Sequence, residues 1–181
     1  KQSLAEFDAS SEKTINAISD EEEKHEFAAY IQPESDLLRE DYPNFLRQSM
    51  IVTLISFLEK TLNKLCRDFQ DHYKIDISYK DFDGTGITRA QKYLKKAIKV
   101  PFPDENAHWS DILVLAKIRN WLIHSESPIQ SDILTQIQAS SQLSKGIQLA
   151  NGIINLLPGC SQEFLYILEQ FLALLEERVL S

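Results

Sequence analysis

Apolar residues recur at steps of three and four through most of this chain, which is the spacing of one face of an α-helix. The first helical region covers about residues 2–31, as one bent helix or two short ones. Ser19 and Glu22 form a capping-box pattern inside it, which marks a second helix start. Pro33 and Pro43 then bracket a connector.

The longest predicted helix covers about residues 43–72. Its middle is apolar nearly all round, so we expect it to be the central element of the core. The expected apolar stripe runs through Leu46, Met50, Leu54 (or Thr53), Phe57, Thr61, Leu65 and Phe69, and it is widened by Ile51, Val52, Ile55 and Leu58. Glu59 follows directly on the apolar stretch, either as a surface or pairing residue or as an acid facing a cleft.

The second half of the chain continues the helical pattern after a loop at residues 76–86, where Gly84 and Gly86 are turn residues. Helices are predicted over about 87–99, 107–124 and 128–140, the last of them starting from Ser127 and Pro128. Asp104 or Asn106 is expected to cap the helix over 107–124. Its expected stripe is Trp109, Ile112, Leu113, Ala116, Asn120 and Ile123.

Residues 147–157 have a different pattern, because two apolar runs flank Asn151-Gly152, a pair that suits a type I′ hairpin turn. Ser161 then caps a final helix that extends to about Val179. The predicted fold class is all-α, an up-and-down helical bundle with a small C-terminal β-hairpin before the last helix. We expect residues 1–181 to form a single domain.

Composition agrees with a globular protein, since 43% of the 181 residues are hydrophobic and 25% are charged. The sequence has no membrane-length apolar run and no signal-peptide pattern at Lys1, which predicts a cytoplasmic protein. Cys66 and Cys160 lie far apart and are expected to be free, buried thiols. No Cys/His cluster has zinc spacing, so neither a metal nor another cofactor is expected.

The net charge of −8 argues against broad, non-specific coating of nucleic acid, although a local basic cleft stays compatible with it. One basic stripe stands out on the helix predicted over 87–99. It is either a solvated face or a surface that grips an RNA backbone. Its members are Arg89, Lys92, Lys96 and Lys99. The remaining histidines, His25, His72 and His108, lack a partner at useful spacing and are expected at the surface.

The segment Lys117–Ser125 carries residues suited to phosphate chemistry. Arg119 offers a planar fork of donors that fits a phosphate, and His124 can carry a proton near neutral pH. An Arg near a helix end also has structural uses in pairing with the helix dipole, and a His there can cap the helix.

Arg119-Asn120 followed by His124 resembles the Arg-x4-6-His motif of the HEPN superfamily, whose members are small helical domains. Many members are metal-independent ribonucleases of toxin, antiphage and RNA-processing systems, so the resemblance implies an endoribonuclease of this kind. It implies that His124 is the general acid or base, that Arg119 clamps the phosphate, and that Asn120 orients His124 or contacts the phosphate. It also places a polar residue, here Glu59, on the long helix facing the cleft.

The resemblance further implies a homodimer in which two copies of the motif line one cleft. Five residues of α-helix rotate by about 140°, so one copy of Arg119 and His124 would form a poor pincer. The partners implied are RNA and either an antitoxin or a nucleotidyltransferase. Members that pair with a nucleotidyltransferase often carry a Tyr two residues after the His, where this chain has Glu126. The alternative function is a non-catalytic HEPN-like module that binds a nucleotide or a protein.

Overall fold

The structure is a computed structural model that describes residues 4–124, 130–150 and 153–180. The chain divides into two compact units, Lys1–Arg47 and Gln48–Ser181. Within the described residues, no helix is both long and apolar enough to cross a membrane.

The first unit contains two helices, α1 (Leu4–Ala17) and α2 (Glu21–Asp36), so the predicted N-terminal region is divided. Asp20, rather than Ser19, caps α2, because its Oδ1 accepts from the N–H groups of Glu22 at 2.9 Å and Glu23 at 3.0 Å.

The predicted connector between Pro33 and Pro43 is wrong, because Pro33 lies inside α2 and a π-helical turn, Leu37–Asp41, follows it directly. The N–H of Leu37 bonds to the carbonyls of Pro33 and Glu34, so the helical path continues beyond the proline. The wider turn absorbs the irregularity in hydrogen bonding.

The long helix α3 (Tyr42–Tyr73) confirms the predicted length, but its buried face differs from the expected stripe. Leu54 is buried as expected, whereas Phe57 is 53% exposed and Leu46 is 68% exposed. A helix that is apolar nearly all round does not fix its own rotation, so contacts with its neighbours decide which residues are buried. The buried set is Ile51, Leu54, Ile55, Leu58, Leu62 and Cys66.

The loop after α3 contains a 3-10 turn, Tyr79–Asp81, and leads to α4 (Gly86–Tyr93). Gly84 and Gly86 have φ values of +107° and +54°, which confirms their expected turn role. A π-helical turn, Leu94–Ile98, follows α4, and Lys99 ends it in the left-handed region at φ 68°. The predicted helix over about 87–99 is therefore confirmed in extent, but its second half is π-helical.

Helix α5 (Ala107–His124) begins and ends at the predicted residues. Asn106 caps it, since its Oδ1 accepts from the N–H of His108 at 2.8 Å. Asp104 instead accepts from Lys95 and Gln91. The expected stripe is wrong at its end, where Ile123 and Asn120 are exposed. The buried face is Trp109, Asp111, Ile112, Val114, Leu115 and Ile118.

The chain then forms α6 (Ser131–Ala139), the short α7 (Leu143–Gly146), strands β1 (Ile147–Ala150) and β2 (Ile153–Leu156), and α8 (Cys160–Leu180). The strands pair antiparallel, with Ile147 opposite Leu156 and Ala150 opposite Ile153, as the hairpin pattern predicts. Helix α8 begins one residue before Ser161, the expected cap. The expected start at Ser127-Pro128 and the Asn151-Gly152 turn lie outside the described residues.

The predicted fold class is confirmed: the protein is an all-α bundle with a small β-hairpin before the last helix. In the second unit α5 packs against α8 and α6, and α7 packs against α8. Phe102, Trp109 and Phe171 form an aromatic cluster in this core, with ring centroids 4.9–5.6 Å apart. Cys66 and Cys160 are both buried, as expected, and burial raises the pKa of the Cys66 thiol to about 12.

Replacing Gly146 with Ala is expected to destabilise the protein, because there is no room for a methyl group at the end of α7. A Cβ there would lie 3.0 Å from Cys160 Cβ and 3.1 Å from both Cys160 Cα and Phe164 Cε1. Overpacking of this kind costs about 1–3 kcal/mol. Chemical denaturation of Gly146→Ala and of the exposed control Ser144→Ala measures the difference. Equal free energies of unfolding for the two variants would contradict the tight packing.

Candidate functional site

Helix α5 supplies residues to two cavities in the second unit. The first, of about 580 Å³, lies between α5, α3 and the start of α4, and we call it the Arg119 cavity. It brings together three of the predicted site residues, Arg119, Asn120 and Glu59. Its lining is Ile55, Glu59, Thr85, Gly86, Ile87, Thr88, Leu113, Ala116, Lys117, Arg119 and Asn120.

The Arg119 side chain is half-buried and keeps donors available for a ligand. Its Nη1 donates to Oδ1 of Asn120 at 2.9 Å, so the two neighbours hold each other in place. The Nε atom is buried and makes no hydrogen bond within the described residues. Nor does Arg119 form an ion pair with any carboxylate in that part of the chain. A guanidinium that lines a cavity and has no carboxylate partner in the described residues favours an anionic ligand.

Glu59 faces the same cavity from α3, where its carboxylate lies against the start of α4. A Cβ added to Gly86 would be in ordinary contact with Glu59 Oε2 at 3.5 Å, which shows how close the carboxylate lies, and the φ of +54° favours glycine there. The first N–H groups of a helix carry partial positive charge, which stabilises a nearby carboxylate. Glu59 therefore lines the same cavity as Arg119, and its carboxylate also lies where it can stabilise the start of α4. Its role as an acid of an active cleft stays a prediction.

His124 is the last residue of α5 and is exposed, and it does not line the Arg119 cavity. The helix is regular from Arg119 to His124, so the two side chains leave it about 140° apart. Asn120 and His124 are four residues apart and share the exposed face. Within one chain the structure therefore does not bring the arginine and the histidine together.

The predicted basic stripe does not form one continuous face. Arg89 and Lys92 lie on α4, whereas Lys96 belongs to the π-helical turn and Lys99 follows it. Arg89 is half-buried, and its Nε donates to the carbonyl of Gly84 at 2.8 Å, beside the loop that lines the Arg119 cavity. Lys96 and Lys99 are exposed. Binding of RNA by these four residues stays a prediction.

A second cavity, of about 680 Å³, lies on α5 opposite α6 and the α6–α7 turn, and we call it the Asp111 cavity. It shares Leu113 and Lys117 with the Arg119 cavity, so the two cavities adjoin. Its lining is Ala107, His108, Ser110, Asp111, Leu113, Val114, Lys117, Gln136, Ala139, Ser140, Ser141 and Gln142. The sequence pattern did not predict this site.

Asp111 is 8% exposed and is the only buried charged residue of the described chain. Burial raises the pKa of its carboxyl, while a hydrogen bond from Ser140 and the nearby His108 oppose that rise. Ser140 Oγ also accepts from the N–H of Leu143 at 3.0 Å, so Asp111 is tied to the α6–α7 turn. The sequence contained one sign of this site, the acidic residue Asp111 within the apolar face of α5.

His108 is half-buried rather than at the surface, which corrects the sequence prediction for this residue. Its Nδ1 atom is buried and makes no hydrogen bond within the described residues. Its ring packs edge-on against Tyr166, with centroids 5.8 Å apart. The position of α8 decides this burial, and the spacing of histidines along the chain does not contain that information. His25 and His72 are exposed, as expected.

Lys117 stands between the two cavities and is held by α6. Its Nζ lies 3.0 Å from Asp132 Oδ2 and 3.3 Å from Gln136 Oε1. The bond from Lys117 lowers the pKa of the Asp132 carboxyl. Across the described residues, no group of three or more His, Cys, Asp or Glu side chains is arranged to hold a metal ion.

No family model matches the chain, and no curated protein or solved structure matches it. The case for a function therefore depends on the residues and geometry of the two cavities on α5.

We expect the contribution of Asp111 to the free energy of unfolding to fall as pH rises above about 3.8, the ordinary pKa of an Asp carboxyl. The folded state binds this proton more tightly than the unfolded state, so ionisation costs stability up to the raised folded pKa. The substitution Asp111→Asn removes the titratable carboxyl group at this position. The unfolding free energy of the native protein minus that of the variant should therefore decrease from pH 3.5 to pH 7.5.

Chemical denaturation across this pH range measures the difference. Ser140→Ala provides a second arm: because the lost hydrogen bond favours the ionised carboxylate, this variant should be destabilised more at pH 7.5 than at pH 3.5. A difference between the native protein and Asp111→Asn that grows with pH would contradict the assignment.

Proposed function

We propose that the protein is a metal-independent endoribonuclease of HEPN type that acts as a dimer. The observation that carries the proposal is the Arg119 cavity, whose lining holds the Arg119 guanidinium beside Asn120 without a carboxylate partner in the described residues. Lys117 adds a second cation to the same lining. Lys117 is already paired with Asp132 at 3.0 Å, so Arg119 is the principal anion-binding group of this lining.

In this mechanism Arg119 binds the scissile phosphate and stabilises the negative charge that develops on its oxygens. Its planar fork suits two phosphate oxygens, and Asn120 fixes the orientation of that fork through the 2.9 Å bond. The ribose 2′-oxygen attacks phosphorus while the bond to the 5′-oxygen breaks. The products are a 2′,3′-cyclic phosphate and a 5′-hydroxyl end.

His124 supplies the proton transfer, either as the base that takes the 2′-hydroxyl proton or as the acid that protonates the leaving 5′-oxygen. Its exposed position at the end of α5 is the reason for proposing a dimer. A second copy approaching this end of α5 would bring its own His124 and Asn120 to the phosphate held by Arg119. Symmetric dimers are the commonest assemblies, so the arrangement needs no unusual symmetry.

Glu59 belongs to the proposed cleft as an acid that limits how deeply a phosphate can enter beside Arg119. Arg89, Lys92, Lys96 and Lys99 would extend the contact with RNA from the α4 side. A toxin or antiphage effector in the cytoplasm, held in check by an antitoxin or a nucleotidyltransferase, is the proposed setting. Glu126, at the position of the modified Tyr in some HEPN proteins, lies outside the described residues.

The second candidate is a non-catalytic module that binds a nucleotide or a protein in the same cavity. The observation that favours it is the separation of His124 from the Arg119 cavity. In such a module Arg119 would hold a phosphate or carboxylate, and no proton transfer would follow.

Cleavage of single-stranded RNA in excess chelator tests the enzyme. Arg119→Ala should lower the rate by about 10²–10³, the usual cost of a lost transition-state donor. His124→Ala should lower it by about 10²–10⁴. Arg39→Ala and His72→Ala are the matched controls, because both residues are exposed and lie outside the cavity. Unchanged cleavage in both site variants, or none by the native protein, would favour the binding module.

Mixing inactive variants tests the shared cleft. If the arginine of one copy works with the histidine of the other, Arg119→Ala and His124→Ala should each be inactive alone and should regain activity when dimers are exchanged between them. About a quarter of native activity is expected, since half of the dimers are mixed and each has one intact site. Light scattering checks the dimer. Persistent inactivity of exchanged mixed dimers would show that both residues must come from one chain.

A further inference from the structure

The Asp111 cavity contains polar groups that the proposed cleavage does not use. Asp111 provides a nearly buried carboxylate, 8% exposed, and the His108 Nδ1 atom is buried near it without a partner in the described chain. The two residues are three apart on α5, so they lie on the same side of the helix. The lining thus offers a carboxylate with two acceptor oxygens and an imidazole that can donate a ring N–H.

A carboxylate acceptor beside an imidazole N–H donor matches the hydrogen-bonding groups of one nucleobase better than those of the others. The Watson–Crick edge of guanine presents the O6 acceptor followed by the N1–H and N2–H donors. Two adjacent donors match a carboxylate, and the neighbouring acceptor matches a protonated ring nitrogen. Adenine, cytosine and uracil each place an acceptor where guanine has one of these donors, so a carboxylate would oppose them.

We propose that the Asp111 cavity binds a guanine base of the RNA substrate, with Asp111 accepting from N1–H and N2–H and His108 donating to O6. The guanine assignment depends on this cavity alone, whereas its place in RNA cleavage rests on the proposed function. Leu113 and Val114 provide an apolar wall for the faces of the base. The Ser140 hydroxyl occupies one lone pair of Asp111, and each carboxylate oxygen has a second one.

The two cavities lie close enough together for a single RNA strand to reach both. Asp111 and Arg119 are eight residues apart on a regular helix, which is about 12 Å along its axis. A base and the phosphate of a neighbouring nucleotide in an extended strand span a comparable distance. Lys117 lines both cavities, and its ammonium lies where the backbone would pass from one to the other.

The test compares guanosine with inosine, which differs only in lacking the N2 amino group. The probes are short oligoadenylates with one central guanosine or inosine, made 2′-deoxy to prevent cleavage, and binding is measured by fluorescence anisotropy. The native protein should bind the guanosine probe about tenfold more tightly, the usual effect of one base-edge contact. Asp111→Asn should bind both probes alike.

Ser141→Trp provides a second variant that leaves Asp111 in place, since Ser141 is an exposed residue in the cavity wall. It should also abolish the preference for guanosine, whereas Ser144→Trp, exposed and outside this cavity, should keep it. Circular dichroism confirms that each variant is folded. Equal binding of the two probes by the native protein, or a preference that survives in both cavity variants, would overturn the proposal.

Free guanosine and inosine monophosphates separate a nucleotide pocket from an RNA subsite. Discrimination between the free nucleotides without discrimination between the oligonucleotides would overturn the assignment to RNA. If the protein prefers the guanosine oligonucleotide but does not cleave RNA, guanine binding is supported and the proposed function is contradicted. If the protein cleaves RNA without a preference for guanosine, guanine binding alone is contradicted.

Discussion

The structure of the second unit depends on the burial of one face of α5. Trp109, Ile112, Leu115 and Ile118 are each at most 2% exposed, and they fix the rotation of the helix against α8 and its neighbours. Burying side chains of this size stabilises the fold by about 1.5–3 kcal/mol each. The same contacts fix the direction of every polar residue on α5. The Arg119 and Asp111 cavities are therefore consequences of how this helix packs.

This constraint gives the two cavities different chemistry. On one side, the Arg119 guanidinium lines the cavity without a carboxylate partner in the described residues, which favours an anion. On the other, Asp111 is ionised only at a cost, which favours a ligand with N–H donors. Lys117 lines both, so a polymer with phosphates and bases would satisfy the two sites together. The acidic average of the chain does not oppose this, because short-range contacts outweigh distant, screened surface charge.

The regularity of α5 also limits what one chain can do. An uninterrupted helix through His124 keeps Arg119 and His124 about 140° apart, and no rotamer of a side chain removes that angle. His124 also does not line the cavity that holds Arg119 in the same chain. The proposed dimer follows from this angle, and the binding module is the function that remains if no second copy supplies the histidine.

The sequence by itself determined the helices, because spacing at three and four residues and local capping are properties of neighbours along the chain. It predicted both ends of α5, the length of α3 and the β-hairpin, it named Asn106 among the possible caps of α5, and it identified Glu59 and Arg119 as candidate site residues. The predictions of a connector after Pro33 and of the buried stripe of α3 were wrong, because a π-helical turn and the rotation of an apolar helix depend on contacts beyond the local pattern. Only the tertiary structure decided that Glu59 lies across from Arg119, that His108 is half-buried and that Asp111 faces a cavity. These features form where α3, α6 and α8 pack on α5. The periodicity of the sequence does not reveal such contacts, because they join residues that are distant along the chain.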